Sequence, residues 1–522
     1  MSAGVPRAAA IALLGLTGTA VMVEAAVTRQ LPGMAIIGLP DTALGEARLR
    51  VRTAIAQAGL SLSERFLTIN LSPAALPKHG SSFDLAIALA GLAASTEIPD
   101  HRLSETAHFG ELGLDGGIRR PAGLLSAVVA ARSLGFERIM VPESGRVEAS
   151  LVPDIEIVTV PDLAAAAAWH SGAPGAWREI PSDRPVGFGT SGNGPLAPRS
   201  LSEPDMADII GQEEAVEAMV VAAAGRHHIS LTGPPGAGKT LLASRLPSIL
   251  PDLTPEEALT ASCIASLGGS PLTELVRRPP FERPHHTASP ASIIGGGGAA
   301  GIRPGAITKA CHGVMLLDET PLFSAGVLDA LRQPLESGVI EIHRATLRAT
   351  FPARLQLVLA SNPCPCGNAD SPDPALECTC TPYARRQYGQ RVSGPLRDRI
   401  DLALQVRRVS TAVFAEACAV RPTSQELRSR VQRARERAAT RLCRTPWKVN
   451  AEVPGTWLRG PAAKLPRSHT AVLDQALGRG ALTLRGYDRT LRVAWTIADL
   501  GDRELPDRAD IARALALRGG QR

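Results

Sequence analysis

The segment Gly233-Pro234-Pro235-Gly236-Ala237-Gly238-Lys239-Thr240 has the pattern G-x-x-x-x-G-K-T, and it constrains the surrounding fold more than any other part of the chain. Such a loop works only between a strand and a helix. Its glycines let successive backbone N–H groups turn toward one anion, and the helix N-terminus adds its dipole. His228-Ile229-Ser230-Leu231 supplies the strand, and Leu241 to Leu246 begins the helix. The residues from Gly233 to Gly238 wrap the phosphates, Lys239 reaches the β- and γ-phosphates, and the Thr240 hydroxyl takes a place on Mg²⁺. A Gly/Pro turn that happens to carry a lysine is the bland alternative, and both flanks argue against it. The chain is expected to bind ATP or a similar triphosphate with Mg²⁺.

Two further runs end in matching chemistry. Val314-Met315-Leu316-Leu317 is an apolar strand ending in Asp318 and Glu319, which can aim one carboxylate at Mg²⁺ (Asp318) and leave the other to orient or deprotonate the attacking water (Glu319). Leu355 to Ser361 ends at Asn362, able to hydrogen-bond the γ-phosphate or that water; an Asn opening a turn before Pro363 is the plain alternative. Gly394 to Asp401 presents Arg397 and Arg399. An arginine here could reach a neighbouring subunit's γ-phosphate and stabilise the transition state, or it could belong to a surface ion pair.

Cys364-Pro365-Cys366 and Cys378-Thr379-Cys380 gather four thiols in one loop, a set that suits tetrahedral zinc; a redox-sensitive pair or inert thiols are the alternatives. Cys263, Cys311, Cys418 and Cys443 stand singly and read as small core residues. The net charge of +6 permits a polyanionic partner, while aromatics at 3% argue against extensive base stacking. Arg428, Arg430, Arg433, Arg435, Arg437, Arg441 and Arg444 crowd one helical region, as a polyanion site or a solvated face. Arg303, inside a glycine-rich insert expected to be mobile, and Lys309, just after it, are candidate phosphate contacts or solvated loop charges. His285-His286, in a Pro-flanked loop, reads as loop structure or a substrate contact, with zinc ligation a minor option. Arg7 to Val23 has something of a leader peptide, but Gly15, Thr17, Gly18 and Thr19 interrupt it; a cytoplasmic protein without membrane association is expected.

Composition shifts divide the chain into residues 1–172, with alternating short strands and helices; a Gly/Pro/Ser-rich linker at 173–204; an α/β nucleotide block at 205–407 carrying the cysteine loop 364–380; and a helical region at 408–522, where Thr423-Ser424-Gln425-Glu426 is a capping box.

These motifs in this order resemble the AAA+ ATPases related to magnesium chelatase, and among them the ComM/YifB competence-protein group. Arg283-Pro284-His285-His286-Thr287, Leu331 to Gly338, Arg492 to Leu500, Ile37 to Asp41 and Gly80 to Leu85 extend the resemblance over nearly the whole chain. It implies a homo-hexameric ring with ATP between subunits, Arg399 as a finger acting in trans, and Arg485 as a sensor from a C-terminal helical lid, a part that Arg489 or Arg492 could also fill. It also implies a structural zinc loop behind Asn362 and a Mg²⁺-dependent motor acting on DNA, a branch-migration helicase in recombination and natural transformation. Three positions depart from the group's usual pattern: Thr320 for Leu, His228 for Asn, and Arg397 for Leu.

Gly110 to Ile118 and Gly123 to Gly135 resemble the proteolytic domain of Lon-type enzymes, an α+β fold of the ribosomal protein S5 domain 2 kind. Ser82 falls near that family's nucleophile, yet Ala127 stands where the helix would supply a lysine. A serine without a base is a poor nucleophile, so a non-proteolytic domain is expected unless Lys78 serves. The alternatives carried forward are a chelatase-like subunit remodelling a protein partner and, more remotely, a Lon-like protease.

Overall fold

The computed structural model describes residues 5–38, 41–73, 80–183, 204–298, 301–344, 347–369, 377–409 and 421–519. Lys78, Cys418 and most of the expected linker lie outside them.

The first part is an eight-stranded mixed sheet centred on the hairpin of β1 (Arg7–Leu14) and β2 (Thr17–Thr28). The hairpin turns at Gly15, whose φ of +67° favours glycine. Ala8 to Ala12 are all buried, so the strand is covered on both faces. The run that looked leader-like is thus the middle of a sheet. β3 (Gly33–Ile37) and β4 (Phe66–Ser72) extend one side. On the other lie β5 (Thr106–His108) and, past a small separate hairpin of β6 (Glu111–Leu112) and β7 (Ile118–Arg119), β8 (Arg138–Pro142) and β9 (Glu156–Val160). β10 (Arg178–Ile180) pairs antiparallel with β9, so the sheet reaches into the span expected to be linker; the Gly/Pro content at 172–175 marks a turn. The helix Asp84–Ala94 has no polar face beyond Asp84 and is accordingly buried all round.

Two histidines lie deep in this part. His108 Nδ1 is 2.8 Å from the Ala9 carbonyl oxygen, and its Nε2 is 3.0 Å from His170 Nε2. Burial pushes His108 down to about 4; burial, with His108 and Arg102 nearby, pushes His170 down to about 2. Both folded values lie below the unfolded value near 6.5, so the unfolded chain binds protons first. Stability is full above that value and falls as pH drops through it, by about 2 kcal/mol per histidine at pH 5. Thermal melting at pH 7.5 and pH 5 should show this loss, and His170→Leu should reduce the slope.

The second part is a five-stranded parallel sheet. Its strands are β11 (Ile229–Thr232), β12 (Phe281–Glu282), β15 (Val314–Leu317), β18 (Gln356–Ser361) and β19 (Leu402–Gln405), in the order β12-β15-β18-β11-β19. All four neighbouring pairs run parallel, so every strand's C-terminal end lies on one edge. Two hairpins are inserted: β13 (Gly295–Gly298) with β14 (Gly301–Pro304), and β16 (Val339–Arg344) with β17 (Leu347–Pro352). The first hairpin is built from the glycine-rich insert. It is rooted at buried Ile293 and leaves Arg303 and Lys309 exposed. The first part docks on this one through the helix Pro255–Leu267: the Gly123 amide donates to the Ser266 carbonyl (3.0 Å), and Ser266 Oγ donates to Glu148 (2.6 Å).

The C-terminal part is helical. Thr423 and Glu426 form the reciprocal cap of helix Ser424–Arg441, which buries Leu427, Val431, Ala434 and Ala438 at helical spacing. Its arginines are largely internal ties: Arg428 donates to the Ser248 carbonyl, Arg435 to Ala223, and Arg430, Arg437 and Arg441 pair with Glu217, Asp502 and Asp499. Arg433 and Arg444 are exposed, so a continuous basic face is not presented. Cys263 and Cys311 are buried as expected, but Cys443 is exposed, a departure that follows from its place just beyond the helix end. No described helix is long and apolar enough to cross a membrane.

Candidate functional site

In open parallel sheets, loops at the C-terminal strand ends form the ligand crevice. β11 ends at Thr232, and the chain turns through Gly233 to Gly238 into the helix Lys239–Ile249. A Cβ at Gly233 would lie 2.1 Å from the Val406 carbonyl oxygen, so only glycine passes there. Gly236 and Gly238 have φ of +76° and +85°, the left-handed geometry that turns amides inward. Lys239 Nζ folds back on the loop, donating to the carbonyls of Gly233 (2.7 Å) and Pro234 (2.9 Å) and to Asn362 Oδ1 (3.0 Å). Its partial burial lowers its pKa.

β15, buried at every position, delivers Asp318 and Glu319 beside this loop. Asp318 Oδ2 accepts from Thr240 Oγ1 at 2.9 Å, so the two residues expected on Mg²⁺ are in contact. Glu319 has φ +52° and ψ +44°, a left-handed backbone that costs a non-glycine residue on the order of 1 kcal/mol and turns its half-exposed carboxylate away from the strand. Glu319 and Asn362 line one cleft of about 380 Å³ with Tyr388 and Arg391. Thr320 is buried and its hydroxyl donates to the Leu317 and Ala360 carbonyls, spanning the ends of β15 and β18. His228 Nδ1 accepts from the Leu357 amide at 3.1 Å, and burial pushes it down to about 4, keeping it neutral. These contacts account for two of the unusual residues.

Four contributors were not assigned to this site from the sequence. Arg283, just past β12, donates to Asp318 Oδ2 at 2.6 Å, and His286 Nδ1 lies 3.7 Å from Glu319 Oε2. His286 also stacks on His285 with ring centroids 4.1 Å apart. The position of Arg283 after a strand parallel to β15 is the signal that could have found it. Gln212 Nε2 donates to the Ala237 carbonyl at 2.6 Å and to Arg407 O at 3.2 Å, tying the phosphate loop to the strand exit. Arg408 donates to Pro235 O at 3.0 Å.

Arg399 and Arg485 are not brought to this loop within the chain. Asp401 and Leu402 donate their amides to the His228 carbonyl, at the N-terminal end of β11, so the segment carrying Arg399 occupies the opposite sheet edge. There Arg399 pairs with Glu336, Arg485 with Asp398 at 3.4 Å, and Arg489 with buried Asp401 at 2.6 Å. Burial alone would raise the Asp401 carboxyl, but Arg489 and the neighbouring histidines hold it well below the usual range. Arg399, Arg485, Arg489 and Arg492 line one cavity of about 500 Å³. Within one chain Arg485 thus lies at the sheet edge away from the phosphate loop, beside Asp398.

Behind Asn362, Cys364, Cys366, Cys378 and Cys380 bring their sulfurs within 4.8 Å of one another. Separations of 3.3, 3.4 and 3.6 Å among the first three approach the ~3.8 Å edge of a tetrahedron with Zn–S bonds near 2.3 Å, so the donor set fits zinc. The backbone N–H of Asn368 and the adjacent thiols pull Cys366 down to about 5, favouring a thiolate. Ser82 finds no base on the helix Leu124–Ser133, because Ala127 is fully buried and offers only a methyl.

Residues 205–414 match the family profile described as magnesium chelatase, subunit ChlI; residues 23–145 match that of subunit ChlI of Mg-chelatase, and residues 421–518 that of the ChlI C-terminal region. The chain is 44% identical over 520 residues to an uncharacterized protein of Mycobacterium tuberculosis, covering 98% of each. It is 37% identical over 512 residues to Escherichia coli YifB and 36% over 511 residues to the competence protein ComM of Haemophilus influenzae, covering 97% of this chain and 96% of each relative.

Proposed function

The chain belongs to the magnesium-chelatase-like family that includes YifB and ComM, and we propose that it is a Mg²⁺-dependent AAA+ ATPase, working as a cytoplasmic homo-hexameric ring that moves DNA. The observation that carries this reading is that the phosphate-loop residues and the candidate arginines lie at opposite edges of one parallel sheet. The phosphate loop, Thr240, Asp318, Glu319 and Asn362 gather at one edge, and Arg399, Arg485 and Arg489 gather at the other. A head-to-tail ring would bring one subunit's arginine edge to its neighbour's loop.

In the bound state, Lys239 exchanges the Gly233 and Pro234 carbonyls for the β- and γ-phosphates. Thr240 and Asp318 would hold Mg²⁺, which neutralises phosphate charge. Glu319 takes the proton of the attacking water, and Asn362 orients that water or the γ-phosphate. Arg399 of the adjacent subunit stabilises charge on the transferring phosphoryl group, and Arg485 contacts the nucleotide from the same side. Cys364, Cys366, Cys378 and Cys380 would hold a structural Zn²⁺. The N-terminal part is read as a Lon-like, S5 domain 2-like fold without protease chemistry, serving assembly or substrate engagement; buried Ala127 supports this.

DNA as substrate is supported by the relative ComM being a competence protein and by exposed Arg303 and Lys309 at and just after the glycine hairpin. Branch migration of recombination intermediates is the activity proposed. ATPase turnover measured with four-way, forked and linear DNA tests it. Four-way and forked DNA should stimulate most, with apparent affinity falling steeply as salt rises. Turnover indifferent to every DNA would favour a chelatase-like subunit acting on a protein.

A further inference from the structure

The stretch Ser361–Gly367 touches the phosphate loop at three points. The Gly233 amide donates to the Ser361 carbonyl at 3.2 Å, and Asn362 Oδ1 accepts from Lys239 Nζ at 3.0 Å. Gly367 lies against Pro235 so closely that a Cβ on it would be 2.4 Å from Pro235 Cδ and 2.7 Å from Cγ. Gly367 also has φ +85°, and its amide closes a turn on the Cys364 carbonyl at 3.0 Å. The same seven residues contain Cys364, fully buried, and Cys366, whose amide donates to Cys380 Sγ at 3.4 Å. Pro365, between the cysteines, lines the cleft shared by Glu319 and Asn362.

We propose that the four-cysteine knuckle is a positioning element for the phosphate loop, with Gly367 as its contact point, so that metal and nucleotide raise one another's affinity. This rests on reading the cysteines as a zinc site and the loop as an ATP site. The physical reason is geometric. Gly367 meets Pro235 without overlap only while the turn Cys364–Gly367 keeps its shape, and ligation of Cys364 and Cys366 fixes that turn from both ends. When the sulfurs part, the turn relaxes, and the support under Pro235 and the register of Asn362 on Lys239 go with it. Linkage then requires reciprocity: the factor by which zinc tightens nucleotide binding equals the factor by which nucleotide tightens zinc binding.

The test uses the full chain, a fluorescent non-hydrolysable ATP analogue, and zinc exchange against a chromophoric chelator. Stripping zinc should weaken analogue binding about tenfold, and saturating analogue should raise zinc affinity by the same factor. Gly367→Ala should keep its zinc but lose analogue affinity, and Pro235→Ala, which removes the atoms the new methyl strikes, should restore part of it in the double variant. Equal analogue affinity with and without zinc, or Gly367→Ala binding like the parent, overturns the coupling while leaving both sites standing. A chain that takes up no zinc after reconstitution overturns the metal reading and the coupling with it, and one that binds zinc but no analogue overturns the nucleotide reading.

Discussion

Glu319→Gln is expected to bind ATP as tightly as the parent chain and to turn it over about 10²–10⁴-fold more slowly, the usual contribution of a positioned general base. The amide keeps the shape and the hydrogen bonding of the side chain but cannot accept a proton. Because Glu319 is half-exposed, meets only His286 through its carboxylate at 3.7 Å, and is otherwise held through its backbone by Asp318 Oδ1 and the Leu322 amide, the substitution should leave stability nearly unchanged. Analogue binding, melting temperature and steady-state phosphate release measured together separate this from a folding defect. Unchanged turnover would remove Glu319 from the chemistry and direct attention to the remainder of the cleft, where Tyr388 and Arg391 face it.

Arg399→Ala is expected to lower turnover by roughly 10³-fold while leaving each chain's own phosphate loop able to bind nucleotide, since a charge-stabilising arginine acts chiefly in the transition state. Within the chain, Arg399 pairs with Glu336 and donates to the Pro395 carbonyl at 2.8 Å, so some of its effect could be structural. Arg399→Lys keeps the charge and loses the planar fork; a loss nearly as large as that of Arg399→Ala marks phosphate recognition over a simple ion pair. Arg489 differs: its partner Asp401 is buried, so Arg489→Ala would strand a carboxylate and damage the fold itself.

Much of the crevice was legible in the sequence because each part is local. Gly233 to Thr240 is contiguous, and Asp318, Glu319 and Asn362 each close an apolar run, which is where a parallel sheet presents its chemistry. The pairings of Arg283, His286 and Gln212 with the crevice were not legible, because their partners are distant in sequence and no periodicity encodes such contacts. The same applies to His108 with His170, which meet only once β5 and the helix Leu163–Ser171 pack. Charge patterning left the part played by Arg428 to Arg441 open, since a run of arginines gives no sign that carboxylates and carbonyls from three other helices and the turn after one of them will meet it. The end of the first sheet was hidden because β10 follows a Gly/Pro turn and is three residues long. Arg485 shows the limit of motif order: its place in the chain is compatible with contact to either copy's nucleotide, and only the parallel sheet's polarity puts it on the edge away from its own loop.

The central claim is that one site is built from two copies, and mixing defective subunits tests it directly. Lys239→Ala disables the loop, Arg399→Ala disables the finger, and each homomer should be nearly inactive. Combined in equal amounts and allowed to exchange, they leave roughly one interface in four with both groups intact, so about a quarter of the parent's ATPase activity should return. A mixture that assembles yet stays as inactive as its components would contradict the shared site.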